Sequence, residues 1–273
     1  MMKFYCVANE KKDPGLEIAK RIQQYLIQAG ASCECGTQKN DGNGFYTDPS
    51  QIPEGTDICI VLGGDGTLLD VSRATTVRDI PILGINMGTM GYLAQVEVEG
   101  IEHALDRVLA GDYRLEERMM LDGTYEGEVV QALNDITITR NGTLRMVPFN
   151  LYVNGQLLRF LRADGIIIST PTGSTAYNMS AGGPIVEPSA KMMVITPICP
   201  HTLNLRSIVL SADDVIEIEA MKLRCQVNAF FDGSRGVELA EGKRISIRKS
   251  QQTLKLIQLS DISFLDLLQN KMK

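Results

Sequence analysis

The chain has 273 residues, 44% of them hydrophobic, and a formal net charge of −6. That length holds one large domain or two modest ones with a real core. The acidic balance speaks against a chain built to lie along nucleic acid, though backbone amides and a few Arg side chains suffice for substrate phosphates.

In chain order, residues 3–8 read as a strand. Residues 15–28 place Ile18, Ala19, Ile22 and Leu26 at helical spacing, with Gly30 as the stop. The tract 36–53 is rich in Gly, Asn, Asp and Pro and reads as a loop. Residues 57–62 form a continuous apolar run after Asp57, the mark of a strand buried on both faces. A helix is expected over 67–78, a second buried strand over 80–86, and a helix over 101–110 closed by Gly111. Alternating strands and helices imply an α/β domain with a parallel sheet, residues 1–117. From Arg118 the pattern turns to period-two alternation with tight turns at Asn154-Gly155, Asp232-Gly233 and Glu241-Gly242. Residues 118–258 therefore read as an all-β, sandwich-like domain. Helical spacing returns in 259–273 with Ile262, Leu265 and Leu268, a tail that could pack on the first domain.

No apolar run approaches the roughly 18–20 residues of a membrane span. The apolar stretch 4–8 is too short for a signal peptide. Among the six cysteines only Cys33 and Cys35 are close, and no second pair completes a zinc site. Cys6, Cys59 and Cys225 sit in apolar runs, as small buried hydrophobes do. Reduced thiols and a cytoplasmic location are expected. Two histidines, His103 and His201, leave little room for a His-based triad or metal site.

Three motifs could carry chemistry. The strand over 57–62 runs into Gly63-Gly64-Asp65-Gly66-Thr67. Its glycines let the backbone turn sharply beside a ligand, and the following helix points its amides and positive dipole end at the loop. This is a phosphate cradle, but neither a Walker A loop nor a GxGxxG fingerprint. The bland alternative is a strand-to-helix turn with Asp65 in an Asx turn. The second motif runs from Asp164 through an Ile-rich strand into Ser169-Thr170-Pro171-Thr172-Gly173-Ser174-Thr175-Ala176-Tyr177. Its hydroxyls suit a polar ligand such as a nucleotide, or else cap a helix. The third is Asn134-Asp135, a pair suited to ribose hydroxyls or, more plainly, the end of a strand.

Together with Ser180-Ala181-Gly182-Gly183-Pro184 and Pro200-His201-Thr202-Leu203, these motifs resemble the bacterial NAD kinase family from about Ile58 to about Gly242. The resemblance implies a two-domain fold, α/β then β-rich, and transfer of phosphate from ATP or polyphosphate to the adenosine ribose 2′-hydroxyl of NAD. It implies Asp65 as proton acceptor, with Gly63, Gly64, Gly66 and Thr67 along the phosphates. It places NAD against Asp65, Gly66, Asn134, Asp135, Arg145, Arg162 and Asp164. Further NAD contacts fall on Thr175, Ala176, Tyr177, Asn178, Met179, Ser180, Cys199 and Ser234. Many members carry Glu where this chain has Asp135, and Gln often follows the turn where this chain has Ser234. A divalent cation, Mg2+, would arrive with ATP, with no protein metal site. A homodimer or homotetramer, with no nucleic-acid or membrane partner, is also implied. His201, in a bent connection, reads as structural. A lipid kinase of the diacylglycerol type and a non-catalytic dinucleotide sensor remain as alternatives.

Overall fold

In the computed structural model, which describes residues 1–40, 45–88, 91–94, 96–142, 144–202, 204–221, 225–259 and 263–271, the apolar runs of the first third become parallel strands. Lys3–Ala8, Ile58–Gly63 and Ile82–Asn86 pair side by side, with Phe4 opposite Ile58 and Cys59 opposite Ile82. Every residue of the latter two is buried, so apolar side chains are needed at successive positions. The helices Glu17–Gln28 and Ile101–Leu109 bury Ala19, Ile22 and Leu26, and Ile101, Leu105 and Val108, in the same core.

Two expectations need correction here. Gly36 and Thr37 complete a strand, Ser32–Thr37, that pairs in parallel with Lys3–Ala8, and Lys39–Asn40 pairs with Phe45–Tyr46. The tract 36–53 is therefore not all loop, although 41–44 lies outside the described residues. An edge strand and a short polar ribbon are held by backbone pairing, so neither prints an apolar period. The helix expected from Thr67 is Asp65–Thr76. Gly64 takes the extended N-cap conformation, φ −120° and ψ −170°, which puts Asp65 and Gly66 in the first turn.

The chain divides into two compact units, Met1–Glu117 with Gln252–Lys273, and Arg118–Gln251. The second unit is antiparallel. One sheet runs Ile208–Ser211, Met192–Ile198, Gly165–Ser169, Asp135–Asn141, Gln226–Phe231 and Arg235–Glu238. Opposite it, Gln156–Ala163, Val147–Val153, Ile216–Ala220 and the start of Arg244–Gln258 pair in order. The two inner faces share one core that includes Phe149, Ile166, Ile168, Ile218, Phe231 and Ile245, the interdigitation of a sandwich. The fold is thus α/β with a parallel sheet, followed by an antiparallel β unit. Asn154 and Gly155 at φ 51° and 78°, and Asp232 and Gly233 at φ 49° and 71°, make the tight hairpin turns.

The C-terminal helix Phe264–Lys271 belongs to the first unit. Ser263 and Asp266 cap it reciprocally, Ser263 N donating to Asp266 Oδ2 at 3.0 Å and Asp266 N to Ser263 Oγ at 3.2 Å. That start turns Leu267 into the core and leaves Leu265 66% exposed, so the buried face differs from the one expected. Ile262 lies outside the described residues. No helix among the described residues is long and apolar enough to cross a membrane.

Candidate active site

The glycine loop closes the carboxyl end of the Ile58–Gly63 strand, the position where open α/β sheets bind ligands. A Cβ on Gly63 would fall 2.3 Å from Thr67 Oγ1, so only glycine fits there. Asn9 Nδ2 holds the same hydroxyl at 3.3 Å. The first intrahelical bond joins Leu68 N to Gly64 O at 3.1 Å, which leaves the amides of Asp65, Gly66 and Thr67 at the open end of the helix. The Asp65 carboxylate does not fold back into an Asx turn. Its Oδ2 accepts from Tyr92 N at 2.8 Å, and its Oδ1 from Leu93 N at 3.1 Å and Ala94 N at 3.4 Å. Gly91 makes this clamp feasible, because a Cβ there would lie 1.9 Å from Oδ1. A carboxylate offers about four lone-pair sites, so the clamp fixes its aim without using it up.

Sequence reading missed the clamp and two supports around it. Lys12 carries its ammonium to 3.0 Å from where a Cβ on Gly64 would sit, and 3.8 Å from one on Gly88. Its loop is anchored by buried Asp13, which accepts from Ile18 N and Ala19 N at 3.0 Å each. Tyr92 stacks its ring 6.3 Å from that of Phe264, with Lys271 Nζ 4.6 Å from its centroid. Burial, then the Asp65 charge, raises the Tyr92 phenol above its usual range. A second glycine pair, Gly88 and Gly91, follows the Ile82–Asn86 strand and was the signal available.

In the second unit a cavity of about 380 Å³ collects Asn134, Asp135, Ala176 and Tyr177. Thr137, Thr139, Phe230 and Asp232 line it too and were not foreseen as site residues. Asp135 is buried, with Thr137 Oγ1 donating to its Oδ1 at 2.9 Å. Burial pushes its carboxyl up to about 7; the Thr137 bond lowers it and the Asp232 charge adds to the rise. Two hydroxyls after the Gly165–Ser169 strand are bonded into the fold. Thr170 Oγ1 donates to Leu133 O at 2.6 Å and Ser174 Oγ to Pro171 O at 2.7 Å. Both side chains are wholly buried. Asn178 is also wholly buried: Nδ2 donates to Ser174 O and Pro184 O, and Oδ1 accepts from Thr196 Oγ1. It braces the turn.

Other residues named from sequence lie elsewhere in this unit. Asp135 is opposite Ser169 and Thr139 opposite Gly165. Asp164 thus precedes the strand at whose far end the Asn134-Asp135 pair sits, about 17 Å away at ~3.3 Å per residue. It forms a two-pronged ion pair with Arg140, Nε to Oδ1 and Nη2 to Oδ2 both at 2.9 Å. Asp164 N donates to Ile198 O, next to Cys199, which is exposed at φ 44°. Arg145 and Arg162 are exposed, and His201, also exposed, donates its backbone N–H to Arg162 O. Met179 and Ser180 are exposed, Thr175 Oγ1 donates to Thr172 O, and Ser234 Oγ to Phe231 O in its turn. The motif residue Leu203 lies outside the described residues.

A clamped carboxylate at a phosphate loop, in a chain that also holds a nucleoside-sized cavity with two aromatic rings, defines the class as a kinase acting on a nucleotide. The chain belongs to the ATP-NAD kinase family. The profile of the ATP-NAD kinase N-terminal domain matches residues 23–113 and that of the C-terminal domain residues 133–259. The NAD kinase of Lachnospira eligens is 43% identical across the whole of both chains, and that of Lachnoclostridium phytofermentans 42% across 99% of each. Among solved structures, an NAD kinase from Archaeoglobus fulgidus in complex with ATP superposes with a TM-score of 0.82 at 28% identity, covering 98% of each chain. A yeast NADH kinase complexed with NADH gives 0.87 at 24% identity over 100% of this chain and 87% of that one, a likeness of fold. NAD kinase is the function these likenesses support, and none supports a lipid kinase or a non-catalytic sensor.

Proposed function

We propose that the chain transfers the terminal phosphoryl group of ATP to the 2′-hydroxyl of the adenosine ribose of NAD, giving NADP, with Asp65 as the proton acceptor. The observation that carries this reading is the Asp65 carboxylate, fixed by the amides of Tyr92, Leu93 and Ala94 at the mouth of the phosphate loop. Phosphoryl transfer runs through a loose transition state, so aim and charge stabilisation matter more than base strength. The amides of residues 65–67 and the Lys12 ammonium would take up charge on the phosphates. In the cavity, Tyr177 and Phe230 offer ring faces to adenine, and Asn134 and Asp135 offer hydrogen bonds to the ribose.

No three His, Cys, Asp or Glu side chains gather as metal ligands among the described residues. In this reading a magnesium ion arrives on the donor's phosphates, since Mg2+ is commonly held by one or two carboxylates plus phosphate oxygens. Asp65 would be the carboxylate that holds such an ion, and the ion would neutralise charge on the transferring group. Inorganic polyphosphate is the alternative donor; a cytoplasmic location and a homodimer or homotetramer complete the reading.

The test incubates the pure protein with NAD, ATP and magnesium and reads NADP with an NADP-specific dehydrogenase. NADP should accumulate with time and enzyme. NAD binding without any NADP, from ATP or polyphosphate, would overturn the reading.

A further inference from the structure

The Asn134-Asp135 pair lies where Glu128–Ala132 ends and Asp135–Asn141 begins, a place where the sheet leaves its amides uncommitted. Asp232, about a hundred residues on, takes up all of them. Its Oδ2 accepts from Leu133 N at 2.9 Å, and its Oδ1 from Asn134 N at 2.7 Å and Asp135 N at 3.3 Å. Asp232 N in turn donates to Asp135 O at 3.0 Å. From the other side Thr170 N donates to Asn134 O at 2.9 Å, and a Cβ on Gly173 would come within 2.0 Å of that oxygen. The backbone of 133–135 is therefore fixed through both its amides and its carbonyls. The side-chain amide of Asn134 has no partner among the described residues and lines the cavity.

The choice of Asp at 232 has a chemical reason. One carboxylate can accept three amide bonds from a single rotamer, whereas Asn or Ser offers one acceptor oxygen. Asp also tolerates φ 49° better than most residues. The arrangement is costly, because this charge faces the buried carboxyl of Asp135. A turn that merely closed a hairpin would not need it.

We propose that Asp232 is a positioning residue for adenosine recognition, its carboxylate setting the backbone of 133–135 so that Asn134 and Asp135 meet the ribose at a fixed aim. This rests on the cavity being the adenosine site. Asp232→Asn, which keeps the shape and loses acceptor capacity, should raise the KM for NAD about tenfold, the scale of one or two lost hydrogen bonds. The KM for ATP and kcat should stay within a few-fold. Asn134→Ala should raise the KM for NAD as well, and the double variant should be little worse than either single one, because Asp232 acts through Asn134. The pH dependence of NAD binding should also move to lower pH in Asp232→Asn, since a charge that raises Asp135 is gone. The Thr137 hydroxyl bonded to Asp135 is unchanged, and Tyr177, the cavity's other titratable lining residue, is unchanged too. A KM for NAD that rises in Asn134→Ala but not in Asp232→Asn would overturn the positioning role and leave the adenosine site standing. An unchanged KM in Asn134→Ala would remove the adenosine site, and the positioning role with it. Should Asp232→Asn fail to fold, Asp232→Glu keeps the charge and displaces the oxygens. A parental KM for NAD in that variant would likewise overturn the inference.

Discussion

The 63–67 loop and the Asn134-Asp135 pocket both aim a polar group at a ligand, and they reach that end by different routes. The loop is nearly local: five consecutive residues make the turn, the helix start and the acid, and the clamp on Asp65 comes from 27–29 residues away. The pocket is assembled at long range, its backbone fixed by an Asp 97–99 residues on. In the loop the functional side chain is held directly and its carboxylate stays partly open. In the pocket the backbone is held, the Asn134 side chain has no partner among the described residues, and Asp135 is buried. A local site can be disabled by one substitution at its centre, while a long-range site should also fail through residues that hold its backbone.

The largest effect should come from Asp65→Asn. It keeps the side chain's size but cannot accept a proton and leaves one side of the amide clamp without an acceptor, and kcat should fall by about 10²–10⁴, the usual worth of a general base. Turnover within a few-fold of the parent would take Asp65 out of that role and leave the loop as a phosphate cradle only.

Next is Asp135→Asn, read in stability. Burial holds the folded carboxyl near 7, against about 3.9 in the unfolded chain. Below pH ~4 both states keep the proton and no penalty exists. Between ~4 and ~7 the unfolded state ionises while the folded state does not, so the parent loses stability as pH rises, up to roughly 4 kcal/mol above pH 7. Asp135→Asn should remove that slope. Urea unfolding at pH 5 and pH 8 measures it, and a parent equally stable at both pH values would show that Asp135 ionises freely.

Gly91→Ala tests the loop's dependence on its clamp. The added methyl would fall 1.9 Å from Asp65 Oδ1, so the carboxylate must move, and misplacement of about 1 Å costs on the order of 10² in kcat. The thermal midpoint should fall as well, because a carboxylate that swings away gives up its bonds to Tyr92 N, Leu93 N and Ala94 N. If kcat survives, the amide clamp is not what aims Asp65.

The same contrast explains what could be read from sequence. Buried parallel strands were legible because both faces demand apolar residues, and the hairpins because Asn-Gly and Asp-Gly supply positive φ. Asp65 was legible because glycines surround it at a strand end. Lys12 was not, since one Lys in a polar stretch carries no period and its neighbour across space is a glycine. The hydroxyls of 169–175 looked like ligand donors; Thr170 and Ser174 instead satisfy buried carbonyls, a demand visible only once those carbonyls are placed. Asp164 was named for the dinucleotide, but its two-pronged pairing with Arg140 depends on strands whose register the sequence does not print. Asp232 was read as a turn residue, which it is, and its three amide bonds are long-range by nature.

The smallest effect should be that of Lys12→Met. The ammonium stands beside Gly64 and Gly88 but is exposed, so salt and water screen it. A charge-assisted contact of this kind is worth about 1.5–3 kcal/mol when dry. Exposure puts Lys12 at the low end, about tenfold in the KM for ATP. The KM for NAD should not move, because Lys12 does not line the cavity beside Asn134 and Asp135. Lys12→Arg should restore most of the loss, and raising the ionic strength should bring parent and Lys12→Met together. An ATP KM unchanged at low salt would show that backbone amides carry the phosphate alone. The local site would then be complete within residues 63–67 and their clamp.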